Sequence, residues 1–444
     1  MLENPASTRL TQHRAFVLFW CARTFSNGAF MMQGVAVGWQ IYALTNDPFD
    51  LGLVGLVQFF PLIAMAVIVG QVLDVFDRRK IAAACQLGKA LAALLLAVGS
   101  AQGWLTRDLM LGIVFLSGTA RAFEIPTMHA ILPSIVPITI LPRAIAASAA
   151  AQQTAVICGP SLGGLLYALG PGTVYASCTL VFVAASVLMT LIELVPRPLP
   201  NPPPLAPSLT LPRLRGREGW GQAGEGRVGE RARKPVSLET LFAGFVYIRR
   251  RPILMGAISL DLFAVLLGGV TALLPIYARD ILDAGPWALG VLRSAPAVGA
   301  LATTVFLARH AIGGRAGAIM FATVGVFGVA SLIFALSTSI VLSFAALAVY
   351  GAADSISVVI RQSLIQLRTP YDMLGRVAAV NSMCSGASGS LGEFRAGSVA
   401  AALGAVPSAL IGGVGAILVM LIWMWAFPQL RKVDKLAGEG RELV

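Results

Sequence analysis

Apolar residues fall in runs of about 20 or more, the length that spans a bilayer. The runs lie near residues 15–43, 51–73, 81–102, 109–129, 144–169 and 173–194. A second set follows near 253–277, 287–308, 316–336, 340–360, 377–403 and 405–427. The pattern predicts an all-α membrane protein of twelve transmembrane helices, six on each side of a polar interval. Pro126 and Pro133 interrupt the fourth run and obscure its end. Glycines are frequent within the runs, as where membrane helices pack through small residues. The interval itself is Pro-rich (PRPLPNPPPLAPSLTLP) and then rich in Gly, Arg and Glu. It has no apolar periodicity, which predicts a flexible linker. In Ser237–Arg251 the pattern changes: Ser237 can cap a helix whose Leu238, Leu241, Phe242, Phe245 and Ile248 share one face. This predicts a short helix on the membrane surface. The expected organisation is a six-helix bundle over 1–194, a linker over 195–235, an interfacial helix over 236–251, a second bundle over 252–430 and a tail over 431–444.

The two sets repeat each other. Adding 233 (351 − 118) carries Gly118 to Gly351, Ala120 to Ala353, Pro137 to Pro370, Leu141 to Leu374, Arg143 to Arg376, Gly159 to Gly392 and Gly164 to Gly397, without a gap. Gly, Pro and Arg coincidences in one register mark a duplicated unit. Arg121 falls on Asp354, so the copies share framework and differ in charge.

Composition narrows the class. The chain is 57% hydrophobic and 12% charged, against about 25% charged in soluble domains, and its mean hydropathy is +0.79. It cannot cover a water-facing surface. Met1–Arg14 is polar and leads straight into the first run, so no cleavable signal peptide is expected. The net charge of +12 is distributed by topology. Of 33 Lys and Arg, two (Arg107, Arg279) fall opposite the N-terminus, five lie within helices and the other 26 share its side. The inside-positive rule then places both termini in the cytoplasm of a multi-pass plasma-membrane (bacterial inner-membrane) protein. No nucleic-acid partner is implied. Five cysteines (Cys21, Cys85, Cys158, Cys178, Cys384) sit in apolar segments without paired spacing, as packing residues do, so no metal site is expected.

Between the second and third runs stands GQVLDVFDRRK. Gly70 permits close helix approach, and Asp74 sits at a helix end one turn before Arg78 and Arg79. Such a cluster can hold two halves together in one conformation and release them in another. The stretch resembles the loop signature of the major facilitator superfamily, with Val75 where a basic residue is usual and Asp77 where Gly often stands. Its DxxDRR form resembles the exporter branch that includes bacterial siderophore exporters. The resemblance implies two pseudo-symmetric six-helix bundles whose first, fourth, seventh and tenth helices line a shared cavity. The matching second-half loop, LARHAIGGRAG, keeps Arg309 and Arg315 but no acid.

Arg121 resembles the buried Arg of helix four that the family associates with proton coupling. An ionised group at mid-bilayer needs a partner or a watery cavity, and Glu124, one turn on, is the expected partner. CGPSLGG resembles the Gly-Pro motif of helix five in the antiporter branch. It brings Gly159, Pro160, Gly163 and Gly164, though Ala150 and Ala151 stand where an earlier Gly belongs. Arg23 and Arg121 in the first half share a depth with Asp261 and Asp354 in the second. With Glu124 they form the expected substrate and proton site, walled by Ser26, Asn27, Gln33 and Gln40. LGEFRAG adds Glu393 and Arg395, two residues apart and so on different helix faces. Lys89 and Arg293 read as snorkelling or locally paired.

No GxxxxGK[ST], HExxH or GxSxG occurs, and His13, His129 and His310 are scattered. Direct ATP drive, hydrolysis and metalloenzyme chemistry are therefore disfavoured. The resemblance implies a monomeric, cofactor-free carrier, not an enzyme, whose partners are lipid, protons and a small molecule. Efflux of an amphiphile such as a siderophore or drug is expected. A proton symporter importing a metabolite and a non-transporting sensor are the alternatives.

Overall fold

Inside a bilayer each backbone N–H and C=O must be satisfied within its own segment, which turns the apolar runs into helices. The computed structural model describes residues 10–137, 140–192, 238–310 and 314–434. Before the interval stand α1 (Arg14–Thr45), α2 (Pro48–Ala64), α3 (Ala66–Val75), α4 (Arg78–Gln102), α5 (Arg107–Ile135), α6 (Leu141–Tyr167) and α7 (Pro171–Thr190). After it come α8 (Leu238–Arg249), α9 (Pro252–Gly268), α10 (Leu274–Ile276), α11 (Pro286–Arg309), α12 (Ala316–Leu336), α13 (Ile340–Arg368), α14 (Tyr371–Leu403), α15 (Ala405–Ala426) and α16 (Pro428–Arg431). Among the described residues there is no strand. The linker expected over 195–235 lies outside them.

The runs depart from single rods in three places. The second breaks at Met65, one turn after Pro61, which cannot donate to the helix ladder. The fourth does not stop near 129: α5 continues through Pro126 and Pro133 to Ile135. The seventh ends at Gly268 and resumes as α10 and a π turn at Tyr277–Ile281. Eight described spans, including α4, α5, α7, α12, α13 and α15, are long and apolar enough to cross a membrane. α1, α6 and α14 have the length but carry more polar positions. The duplication is visible in the helices: from Arg107 to Ile340 and from Ile135 to Arg368, the two ends of α5 and α13, the offset is 233.

α1, α2 and α4–α7 pack on one another, as do α9 and α11–α15, giving two six-helix bundles. The bundles meet through α2 on α14 and α6 on α11. Among the described residues their cores are joined at one end only. At the end carrying Pro48 and Pro286, one continuous core runs from Val35, Ile41 and Leu96 into Leu273, Leu289 and Leu292. At the end carrying Asp77, each bundle closes on itself, around Phe19, Met128 and Ile131 in one and around Leu260, Phe321 and Leu364 in the other. The short helix α8 lies against α14 and α9, burying Ile248 beside Leu254 and Val377 while Phe245 stays exposed.

Candidate functional site

Where the shared core ends, a cavity of about 50 Å³ opens between the bundles. Its polar walls are Gln33 of α1, Gln58 of α2, Ser117 of α5, Arg293 of α11 and Glu393 of α14. The break after α9 also reaches it, through Thr271 and Pro275. Gly34 lets the Arg293 guanidinium lie on the α1 backbone, where Nη1 donates to the Gly34 carbonyl at 3.1 Å. Glu393 rests against Gly55 of α2. A cation and an anion therefore flank one space, each presented by the C-terminal bundle against a glycine of the N-terminal one.

The expected Arg121–Glu124 pair does not form. Glu124 turns into the N-terminal bundle, where Oε2 accepts from Lys89 Nζ at 2.7 Å and Oε1 from Ser26 Oγ at 3.1 Å and Gln86 Nε2 at 2.8 Å. Lys89 is fully buried, also reaches Ser26 Oγ at 2.5 Å, and lies 4.7 Å above the Phe182 ring. It does not snorkel, because Glu124 supplies its countercharge in the interior. Arg121 instead stacks 3.9 Å from the centre of Phe30, which lines the cavity. Arg23 donates to Gln152 Oε1 of α6 at 3.0 Å. Asn27 is half-buried with Nδ2 unpartnered. Of the expected wall, Gln33 lines the cavity, whereas Gln40 is held inside the bundle by Ser100 and Tyr175.

Asp261 and Asp354 do not face Arg23 and Arg121. Asp261 pairs with Arg361 within the C-terminal bundle. Arg361 lies just past the apolar run near 340–360, and α13, which continues to Arg368, carries it inward as a 3% exposed partner of that carboxylate. Asp261 and Asp354 line a separate small pocket. Arg395 takes the carbonyls released where α9 breaks, donating to Leu266 O at 3.1 Å and Gly269 O at 3.2 Å. Glu393 and Arg395 thus serve different places.

In the loop before α4, the side chain of Asp74 and the surroundings of Gly70 fall outside the described residues. Asp77 is the acid seen to pair. Its carboxylate caps α4 through Arg79 N–H at 2.9 Å and holds the Arg79 guanidinium at 3.0 Å. That contact pulls the Asp77 carboxyl below its ordinary range. Arg79 also donates to the Ile192 carbonyl at 2.7 Å, tying the loop to the end of α7, and Arg78 reaches the Ala130 carbonyl at 3.5 Å. In α6, Gly159 and Gly163 admit the α1 backbone at Gly28 and Met32, and Gly164 admits α11. The carbonyl of Pro160 faces Gly290.

Sequence reasoning passed over Arg361, Gln58, Ser117 and Ser357, and gave Lys89 and Arg293 only a snorkelling or locally paired role. The three cations, Lys89, Arg293 and Arg361, carried a signal: each is a lone cation inside an apolar run or at its border, in a chain with acids elsewhere at matching depth.

A superfamily model described as Major Facilitator Superfamily matches residues 19–393, and the chain belongs to that family of membrane transporters. Among curated relatives, it is similar to Enterobactin exporter EntS of Citrobacter koseri, 25% identical over 432 residues that cover 95% of this chain and 94% of the relative. The protein of that name from Escherichia coli O1:K1 / APEC is 24% identical with the same coverage. Among solved structures, a bacterial homologue of the lysosomal transporter Spinster, titled inward-facing and occupied, superposes with TM-score 0.68 at 12% identity, covering 95% of this chain and 97% of that one. A bacterial homologue of the iron transporter ferroportin gives 0.64 at 14% identity, covering 94% and 99%.

Proposed function

We propose that the chain is a proton-coupled secondary carrier that exports a small amphiphile, such as a siderophore or drug, across the bacterial inner membrane by alternating access. One observation carries the reading: the bundles share a core at the Pro48 end, own separate cores at the Asp77 end, and leave a charged cavity between. A carrier needs two bundles that can rock about a central site. With both termini in the cytoplasm, the Asp77 end is the cytoplasmic one, and this conformation admits substrate from inside. Arg293, Glu393, Gln33 and the Arg121–Phe30 stack offer mixed polar and aromatic contacts to an amphiphile. Arg23, Asn27, Arg121 and Glu124 in one bundle and Asp261 and Asp354 in the other serve substrate and ion binding. Gly70, Asp74, Arg78 and Arg79 act as the cytoplasmic gating loop. The working unit is the monomer.

The likeness to enterobactin exporters supports a siderophore as first candidate. Everted membrane vesicles test the reading. Imposing an inside-acid gradient is expected to drive uptake of enterobactin, or of a compound from a drug panel, and collapsing the gradient to abolish it. Uptake of a metabolite by right-side-out vesicles, with no accumulation in everted ones, would reverse the direction.

A further inference from the structure

Asp354, within the membrane-spanning α13, is a half-buried acid for which no hydrogen bond or ion pair is found among the described residues. One turn on, Ser357 is 3% exposed and its Oγ is also unpartnered. Residues three apart share a helix face, and both line a cavity of about 10 Å³, room for a single water-sized or smaller occupant. Asp261 of α9 and Thr323 of α12 supply its other polar walls, and Phe327, stacked 4.1 Å from Tyr350, closes one side. The Thr323 hydroxyl gives its proton to the Met320 carbonyl at 2.9 Å, so its oxygen lone pairs remain available.

Charge decides what fits. Arg361 answers Asp261, so two carboxylates and one guanidinium leave the pocket one negative charge. An uncompensated carboxylate in the membrane interior is costly. A single small cation cancels it. The donors are carboxylate and hydroxyl oxygens, the ligands of hard cations, with none of the nitrogen or sulfur that transition metals favour. One free carboxylate is too little charge for a divalent ion. We infer that Asp354, Ser357, Asp261 and Thr323 form a sodium-ion site inside the C-terminal bundle. Asp354 is only half-buried, so the site is not sealed from its surroundings.

The inference rests on the carrier reading only for its consequence in transport, where sodium joins the proton as a second ion sensed by the C-terminal bundle. Binding is tested without transport. The full-length protein in detergent is melted in sodium, potassium or choline chloride at equal ionic strength and fixed pH. Sodium is expected to raise the midpoint saturably, as a ligand that binds the folded state must, while potassium and choline do not. Asp354→Asn folds, since it removes a buried charge, and loses the sodium response. Ser357→Ala keeps it with half-saturation at roughly tenfold more sodium, the effect of one lost contact. Equal midpoints in all three salts overturn the proposal, as does an undiminished response in Asp354→Asn. Stabilisation by acid alone also overturns it, and marks Asp354 as a protonated carboxyl. Absent sodium binding with intact vesicle export sinks the site alone; sodium binding without any export sinks the carrier reading alone.

Discussion

Gly164 of α6 and Gly290 of α11 meet backbone to backbone. A β-carbon on Gly164 would stand 3.0 Å from the Gly290 Cα and 2.5 Å from the Pro286 carbonyl oxygen. The other side of the molecule repeats the contact: a β-carbon on Gly397 would stand 2.7 Å from the Pro48 carbonyl oxygen and 2.8 Å from the Gly52 Cα. Gly164 and Gly397 are equivalent in the internal repeat, and Pro48–Gly52 matches Pro286–Gly290 in pattern. Duplication has thus produced one inter-bundle seal twice, at the end where the cores are joined. A polar latch adds to it, Tyr42 donating its hydroxyl proton to the Asp280 carboxylate.

Gly164→Val and Gly290→Val are therefore expected to destabilise the conformation closed at this end. Overpacking costs about 1–3 kcal/mol, which moves a two-state population roughly 5- to 150-fold, at about 1.4 kcal/mol per tenfold. A cysteine in place of Gln33, in a background free of native cysteines, would then react faster with an impermeant maleimide added outside. Unchanged labelling in both variants means that the seal does not set the conformational balance.

The Lys89–Glu124 pair gives a second prediction. Removing one member of a buried pair costs about 3–5 kcal/mol because the other charge is stranded, whereas replacing both by apolar residues is often neutral. Glu124→Leu and Lys89→Met alone are each expected to lose most of that amount, and the two together to recover it, in a thermal or denaturant series read as a double-mutant cycle. Vesicle flux separates packing from transport. A double variant that is stable and fully active reduces the cluster to scaffolding; one that is stable and inactive places Glu124 in the ion pathway.

Spans and duplication were legible because they are periodic or local: run length and a fixed offset. Ion pairing was not. Arg121 and Glu124 are one turn apart, yet Glu124 turns toward Lys89 on another helix, where Ser26 and Gln86 complete its hydrogen bonds. Asp261 and Arg361 are a hundred residues apart, and only the continuation of α13 past residue 360 brings them together. Nor does an apolar run show where its helix breaks. Gly268 and Gly269 are two glycines among many until Arg395 is seen bonding to the carbonyls around them.

Asp77 carries a pH signature. Its folded-state carboxyl lies below the ordinary value because Arg79 donates to it. The contact therefore adds stability above the unfolded carboxylate pKa of about 3.9, and loses it as pH falls through the lower folded value. The pair is exposed enough for solvent to screen it, so the effect is under about 1 kcal/mol. Asp77→Asn, which keeps a capping oxygen, is expected to melt within that margin of the parent at pH 7 and to converge with it below about pH 4. A larger loss would mean that the Arg79 link to Ile192 depends on the carboxylate charge.

Arg293 and Glu393 decide whether the central cavity reads charge. A guanidinium is planar and presents several donors, so Arg293 can hold the Gly34 carbonyl and keep others for a ligand, while a lysine there offers a point charge on a flexible stem. Arg293→Lys is expected to keep the maximal export rate and raise the concentration for half-maximal export roughly tenfold, a cost of about 1.4 kcal/mol in binding. Arg293→Ala is expected to cost more, because Glu393 then faces the cavity without a nearby cation. Glu393→Gln separates the two effects. If Arg293 acts on substrate directly, Glu393→Gln leaves the Arg293→Lys defect in place; if Arg293 serves only to balance Glu393, the double variant exports like Glu393→Gln alone. Concentration dependence of vesicle uptake measures all four proteins on one scale, and a wild-type curve from Arg293→Ala would remove this cavity from the transport path.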